Sequence, residues 1–93
     1  MLEFSWDERK NRSNQKKHGV WFEEAKSVFD DHLARLFLEG SGLGEERFTL
    51  IGHSTDRRLL VVVHCYRESD TVVRIISARQ ASKKERIFYE EGI

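Results

Sequence analysis

The run Leu59-Leu60-Val61-Val62-Val63 constrains the fold more than any other part of the chain. It is apolar at both phases of a strand's alternation, so the strand it forms is buried on both faces and lies inside a sheet. The spacing predicts that strand over Arg58 to Tyr66, between strands over Arg47 to His53 and Val72 to Arg79. The connectors Ser54-Thr55-Asp56-Arg57 and Glu68-Ser69-Asp70-Thr71 are short and polar, as hairpins require. A further strand is expected over Leu33 to Leu38, and a short edge strand over Glu3 to Trp6. Glu39-Gly40-Ser41-Gly42-Leu43-Gly44 reads as a flexible loop.

Three helices complete the order. Asp7 is a plausible N-cap for a helix from about Glu8 to Lys17, and Gly19 a good stop. Between Asp7 and Gly19 no residue is apolar, so most of this helix is expected on the surface. A second helix, roughly Phe22 to Phe29, carries the stripe Phe22, Ala25, Val28 and Phe29, and the Asp30-Asp31 pair at its end reads as solvated. A third begins at Ser82, where Ser82-Lys83-Lys84-Glu85 fits a capping box, and stops at Gly92. Strand, helix, helix, four strands, helix is an α+β order: a twisted, mainly antiparallel sheet with the two N-terminal helices on one face. The expected core is Leu50, Leu60, Val62, Ile75, Phe22, Val28 and Phe29.

The 93 residues are read as one domain, 1–93. No apolar run approaches the ~20 residues that cross a bilayer, and the first residues lack the pattern of a secretory signal, so the chain is expected to be cytoplasmic. Cys65 is the one cysteine, which excludes an internal disulfide and a cysteine-based metal site. The formal net charge of zero hides a sorted pattern: residues 1–20 sum to +2, residues 21–46 to −5 and residues 47–93 to +3. Overall charge therefore gives no support to non-specific nucleic-acid binding, although a local basic surface can still meet a polyanion.

Arginine is the residue type that strands need least. Arg47, Arg58, Arg67, Arg74 and Arg79 all lie on or beside predicted strands. A guanidinium is a planar fork of donors that fits phosphate oxygens and stays charged at any working pH. For any one of them, solvent exposure or a carboxylate partner is the commoner fate; the group of five carries the phosphate reading. His64 can move protons near neutral pH, but a strand histidine bonded to a neighbour is commoner. Glu45 or Glu46 could serve as a general base, with a surface ion pair the default. Tyr89 is a core residue by default and a phenol in a site as the minority reading. Asn14, Lys17 and His18 could contact a phosphate or form a solvated face. His18, His32, His53 and His64 show no metal spacing, and no phosphate-loop or dinucleotide fingerprint is present. No cofactor and no metal are expected. Arg, His, Glu and Tyr without a metal can cut RNA, because RNA carries its own nucleophile: a base takes the 2′-OH proton, cations stabilise the phosphorane and an acid protonates the leaving 5′-oxygen.

The ordered motifs resemble the BrnT family, toxins of bacterial toxin–antitoxin pairs. Phe4-Ser5-Trp6-Asp7, Asn14-Gln15-Lys16-Lys17-His18-Gly19-Val20 and Phe22-Glu23-Glu24-Ala25 resemble three of its segments. Glu45-Glu46-Arg47-Phe48 with Ile51-Gly52, Arg58 to Val63, Arg67, Arg74-Ile75-Ile76-Ser77-Ala78-Arg79, Glu85-Arg86 and Tyr89-Glu90 resemble the rest. The resemblance implies a RelE-like fold and a metal-independent endoribonuclease that inhibits translation. It implies an antitoxin partner with a ribbon-helix-helix DNA-binding part, so that operator DNA is met only through the complex. Carried over by motif are Lys17, His18, Glu46, Arg47, Arg67, Arg79 and Tyr89. Combined with the strand reading, the candidate catalytic set is Arg67, Arg79, Arg47, Glu46 and His64, and the candidate RNA-binding set is Lys17, His18, Arg74 and Tyr89. Arg67 and Arg79 are expected to hold the scissile phosphate. One departure is Trp21, which stands where the family tends to have a capping Ser; losing that cap costs about 1 kcal/mol. The alternative reading is a non-catalytic module that binds an antitoxin or nucleic acid in operon regulation.

Overall fold

The computed structural model describes residues 2–41 and 46–92. The elements are β1 (Glu3–Ser5), α1 (Glu8–His18), α2 (Phe22–Ser27), β2 (Arg35–Ser41), β3 (Glu46–His53), β4 (Leu59–Arg67), β5 (Val72–Gln80) and α3 (Lys83–Glu91). The sheet order is β1-β5-β4-β3-β2, so the apolar run of β4 is central, as its pattern required. Pairing is antiparallel except at the edge, where β1 runs parallel to β5. No helix among the described residues is long and apolar enough to cross a membrane.

Alternation splits β4 between two cores. On one face Leu60 and Val62 join Leu50, Val73, Ile75 and Ala78, and the segment of α2 with its flanks closes over them with Val20, Phe22, Ala25 and Val28, beside α1. On the other face Leu59 and Val61 join Ile51 beneath Tyr89 of α3. The helices thus sit on opposite faces, two on one and one on the other. Cys65 is buried, in line with a small core residue.

Two boundaries shift for local reasons. The second helix tightens after Ser27 into a 3₁₀ turn, Val28–Asp30. The strand expected from Leu33 begins at Arg35 because Asp31 organises a turn first: its carboxylate accepts the Leu33 N–H at 2.9 Å and its carbonyl the Ala34 N–H at 3.1 Å. β2 then runs on to Ser41, into the expected loop; residues 42–44 of that segment, and the general-base candidate Glu45, lie outside the described residues.

α1 corrects one expectation. Its cations are exposed, but Asn11 and Asn14 are buried, and these two amides take the place of an apolar stripe. Asn14 accepts from the Ala78 N–H at 3.1 Å and donates to the Ala78 carbonyl at 2.8 Å and the Val20 carbonyl at 2.9 Å. β1 covers β5 only over Val72 to Arg74, so beyond it the Asn14 amide acts as the missing neighbour strand for Ala78. Asn11 accepts from the Phe22 N–H at 2.7 Å and so fixes the start of α2. Asn14 is therefore spent on the fold and does not join a phosphate contact.

Candidate active face

Residues directly opposite each other on antiparallel strands share a face. Arg79 lies opposite Val61, Ser77 opposite Val63, Arg74 opposite Cys65 and Arg67 opposite Val72. Val63 also lies opposite Thr49, and Thr49 opposite Phe37. Alternation from Thr49 adds Arg47 to the same face. Arg47, Arg67, Arg74 and Arg79 therefore share the face that α1 and α2 leave open and that α3 crosses at one end. Arg47, Arg67 and Arg79 are exposed and Arg74 is half-buried.

Their spacing separates two residues that were expected to act together. Arg67 stands six residues along β4 from Val61, the partner of Arg79. At about 3.3 Å per residue the two arginines are roughly 20 Å apart along the strand. That separation is wider than a single phosphate group.

Arg79 is engaged by α3. Its guanidinium donates to both carboxylate oxygens of Glu85, each at 2.8 Å. Glu85 is also the capping-box residue of α3: its side chain accepts from the Ser82 N–H at 2.8 Å. The Arg79 guanidinium, helped by that N–H and opposed by partial burial, holds the Glu85 carboxyl down at about 2. Glu85 is thus a carboxylate on the arginine face. Sequence reading had assigned it only to the cap, because the capping spacing accounts for it completely.

The acid–base candidates lie elsewhere. His64 is completely buried. Its ring stands 4.9 Å from Phe29, 5.2 Å from Tyr66 and 6.1 Å from Phe48, and its Nε2 lies 3.3 Å from the Tyr66 hydroxyl. Burial pushes its pKa below the usual histidine range, so it is neutral at physiological pH. It pairs across β4–β5 with Ile75, on the helix-covered face away from the arginines. Glu46 is exposed, and alternation turns it away from Arg47. Lys17, exposed, and His18, half-buried, end α1 on the helix-covered side.

Tyr89 is buried, and its hydroxyl donates to the Asp31 carboxylate at 2.7 Å. Burial and that carboxylate push the phenol up to about 12. His53 approaches the same pair, its Nδ1 3.3 Å from the Tyr89 oxygen and its backbone N–H donating to Asp31 at 2.8 Å. Asp31, expected to be solvated, is therefore the junction of the α2–β2 turn, β3 and α3. Tyr89 holds α3 in place and is closed to solvent.

Arg58 is likewise structural. It forms a double ion pair with Glu24 of α2 and donates to the Gly19 carbonyl at 3.0 Å. The Arg58 guanidinium keeps the Glu24 carboxyl below its ordinary range.

The fold, a mainly antiparallel sheet with two helices on one face and a third on the other, is shared with a solved α+β protein: the crystal structure of the Brucella abortus ribonuclease toxin, BrnT, superposes with a TM-score of 0.68 at 24% identity, over 89% of this chain and 100% of that one. The sequence profile of the family described as "Ribonuclease toxin, BrnT, of type II toxin-antitoxin system" matches residues 6–85. The chain belongs to the BrnT family of type II toxin–antitoxin systems. No curated protein matches it.

Proposed function

We propose that this chain is an endoribonuclease toxin that cleaves RNA through the 2′-OH without a metal, and so inhibits translation. The observation that supports the reading is the placement of Arg47, Arg67, Arg74 and Arg79 on one sheet face, in a chain of a ribonuclease-toxin family. Arg67, Arg74 and Arg47 hold successive phosphates, and Arg79 stabilises the charge that builds on the phosphorane. An incoming phosphate competes with Glu85 for Arg79. As the guanidinium turns to the phosphate, Glu85 loses the cation that depresses its pKa and recovers basicity. It then takes the 2′-OH proton as the 2′-oxygen attacks phosphorus, and the leaving 5′-oxygen takes its proton from water.

An antitoxin restrains the toxin by covering the arginine face with acidic side chains. In this reading it carries a ribbon-helix-helix part, the complex alone binds operator DNA, and the pair works in the cytoplasm. A second reading, a non-catalytic module in operon regulation, is favoured by one observation: His64 and Glu46 both lie off the arginine face. The test is incubation of the purified chain with RNA in chelator. Cleavage that Arg79→Ala abolishes supports the first reading; intact RNA with retained antitoxin binding supports the second. Loss of wild-type cleavage in chelator removes the metal-free mechanism.

A further inference from the structure

The outward side of α1 carries Arg9, Arg12, Ser13 and Lys16, all exposed, lining a shallow pocket of about 330 Å³. At spacings of three, four and seven these residues share one helix face, opposite the buried Asn11 and Asn14. Lys10 and Lys17 flank them. An ordinary solvated helix pairs such cations with carboxylates one turn away. Here the helix's one carboxylate, Glu8, accepts from Trp6 and Asn11, and the N-cap Asp7 accepts from the Arg9 and Lys10 N–H groups. Arg9 with Arg12, and Arg12 with Lys16, are like-charge neighbours, which destabilise a helix. The fold retains this repulsion in a helix that has no apolar stripe and already relies on two asparagines.

We infer that the outward face of α1 is a second RNA-backbone site, in which Arg9, Arg12 and Lys16 hold phosphates outside the arginine face. The inference rests on the reading of the chain as an RNA-binding toxin and extends its footprint. RNA is favoured over an acidic protein by continuity. α1 packs along β5, the strand that bears Arg74 and Arg79, at the stretch beyond β1 where Asn14 meets Ala78. A backbone leaving the arginine face across that edge passes Lys17 and His18 and arrives at Lys16, Arg12 and Arg9. A polyanion with evenly repeated charges fits such a row better than a folded acidic surface.

The test uses the full chain with a labelled RNA methylated at every 2′-oxygen, which cannot be cleaved, and reads anisotropy between about 50 and 200 mM salt. The triple variant Arg9→Gln, Arg12→Gln, Lys16→Gln keeps good helix formers at exposed positions. It should bind roughly tenfold more weakly at the low-salt end, and the log–log salt slope should fall by about 2, three contacts at ~0.7 each. The charge-preserving variant Arg9→Lys, Arg12→Lys should keep the wild-type slope. Unchanged affinity and slope in the triple variant overturn the inference. So does weakened antitoxin binding with RNA binding intact, which would make the ridge a protein site. Wild type that binds the methylated RNA but leaves ordinary RNA whole removes the nuclease reading and leaves this one standing. Wild type that does not bind it overturns this one.

Discussion

α1 and α3 lie on opposite faces of one sheet and are attached by opposite means. α1 is held by two buried neutral amides bonded largely to backbone groups of the α1–α2 turn, α2 and β5. α3 is held by one buried side chain, Tyr89, packed on the second apolar cluster, and by charged and polar contacts nearer solvent. Arg79 grips Glu85, Arg35 donates to the Phe88 carbonyl at 2.7 Å and lies 3.9 Å over its ring, and Tyr89 reaches Asp31. A buried amide has no water to fall back on, so losing one strands several groups at once. A half-exposed ion pair is worth about 0–1 kcal/mol and exchanges readily for another anion. The difference fixes the inner side of α1 in the scaffold and leaves the Arg79–Glu85 contact of α3 exchangeable.

The strongest test of that division is Asn14→Ala. It leaves the Ala78 N–H and carbonyl and the Val20 carbonyl without their partner, at roughly 1–3 kcal/mol per stranded group. We expect about 3 kcal/mol lost in urea unfolding; a loss below about 1 kcal/mol would break the comparison. Arg79→Ala should do the reverse. RNA cleavage should slow by ~10²-fold or more, while stability moves by no more than about 1 kcal/mol. A variant that unfolds as readily as Asn14→Ala would place Arg79 in the scaffold.

Tyr89→Phe removes one charge-assisted bond to Asp31 and should cost about 1.5 kcal/mol, with α3 amides exchanging faster than those of α1. Acid provides a smaller test. Glu85 has a folded pKa of about 2 against an ordinary 4.5, so the unfolded chain binds its proton first as pH falls. Its contribution is complete above about 4.5 and is lost as pH falls from there through 2. Glu85→Gln should flatten the acid limb of a stability–pH curve in that window, and an unchanged limb would show that the pair contributes nothing. Trp21→Ser should have the least effect. Trp21 is the N-cap of α2, gives no side-chain cap bond and is 46% exposed. A serine there should gain about 0.5 kcal/mol in thermal unfolding. The gain is limited because Glu24 is committed to Arg58 and Ser54 and cannot complete a capping box.

Local signals in the sequence carried most of the fold. Asp7, Gly19 and Ser82 punctuate α1 and α3 where the structure does, and the two-sided apolar run is the central strand. Of the expected core, Leu50, Leu60, Val62, Ile75, Phe22 and Val28 are buried, and Phe29 is partly so. Residues with two roles were harder to read. Asn14 looks like a surface residue because its partner is 64 positions away and is a backbone group, which leaves no mark in side-chain pattern. Asp31 looks solvated because its partners on β3 and α3 lie 22 and 58 positions away. The arginine face was legible as a residue type on strands, but its geometry was not. Which arginines share a face, and how far apart they stand, depends on register. The burial of His64 depends on which face the helices cover.

The asparagine bonds of α1 also impose an order of events during synthesis. A helix without an apolar face does not sustain itself in water. Its anchors are the backbone of Val20, Phe22 and Ala78. α1 therefore has no stable place until β5, which is made after it, has formed beside β4. The basic helix closes the molecule rather than nucleating it, so a nascent chain stopped before residue 78 carries its α1 cations on an unfolded segment. In pulse-labelling hydrogen exchange, α1 amides should gain protection no earlier than those of β5.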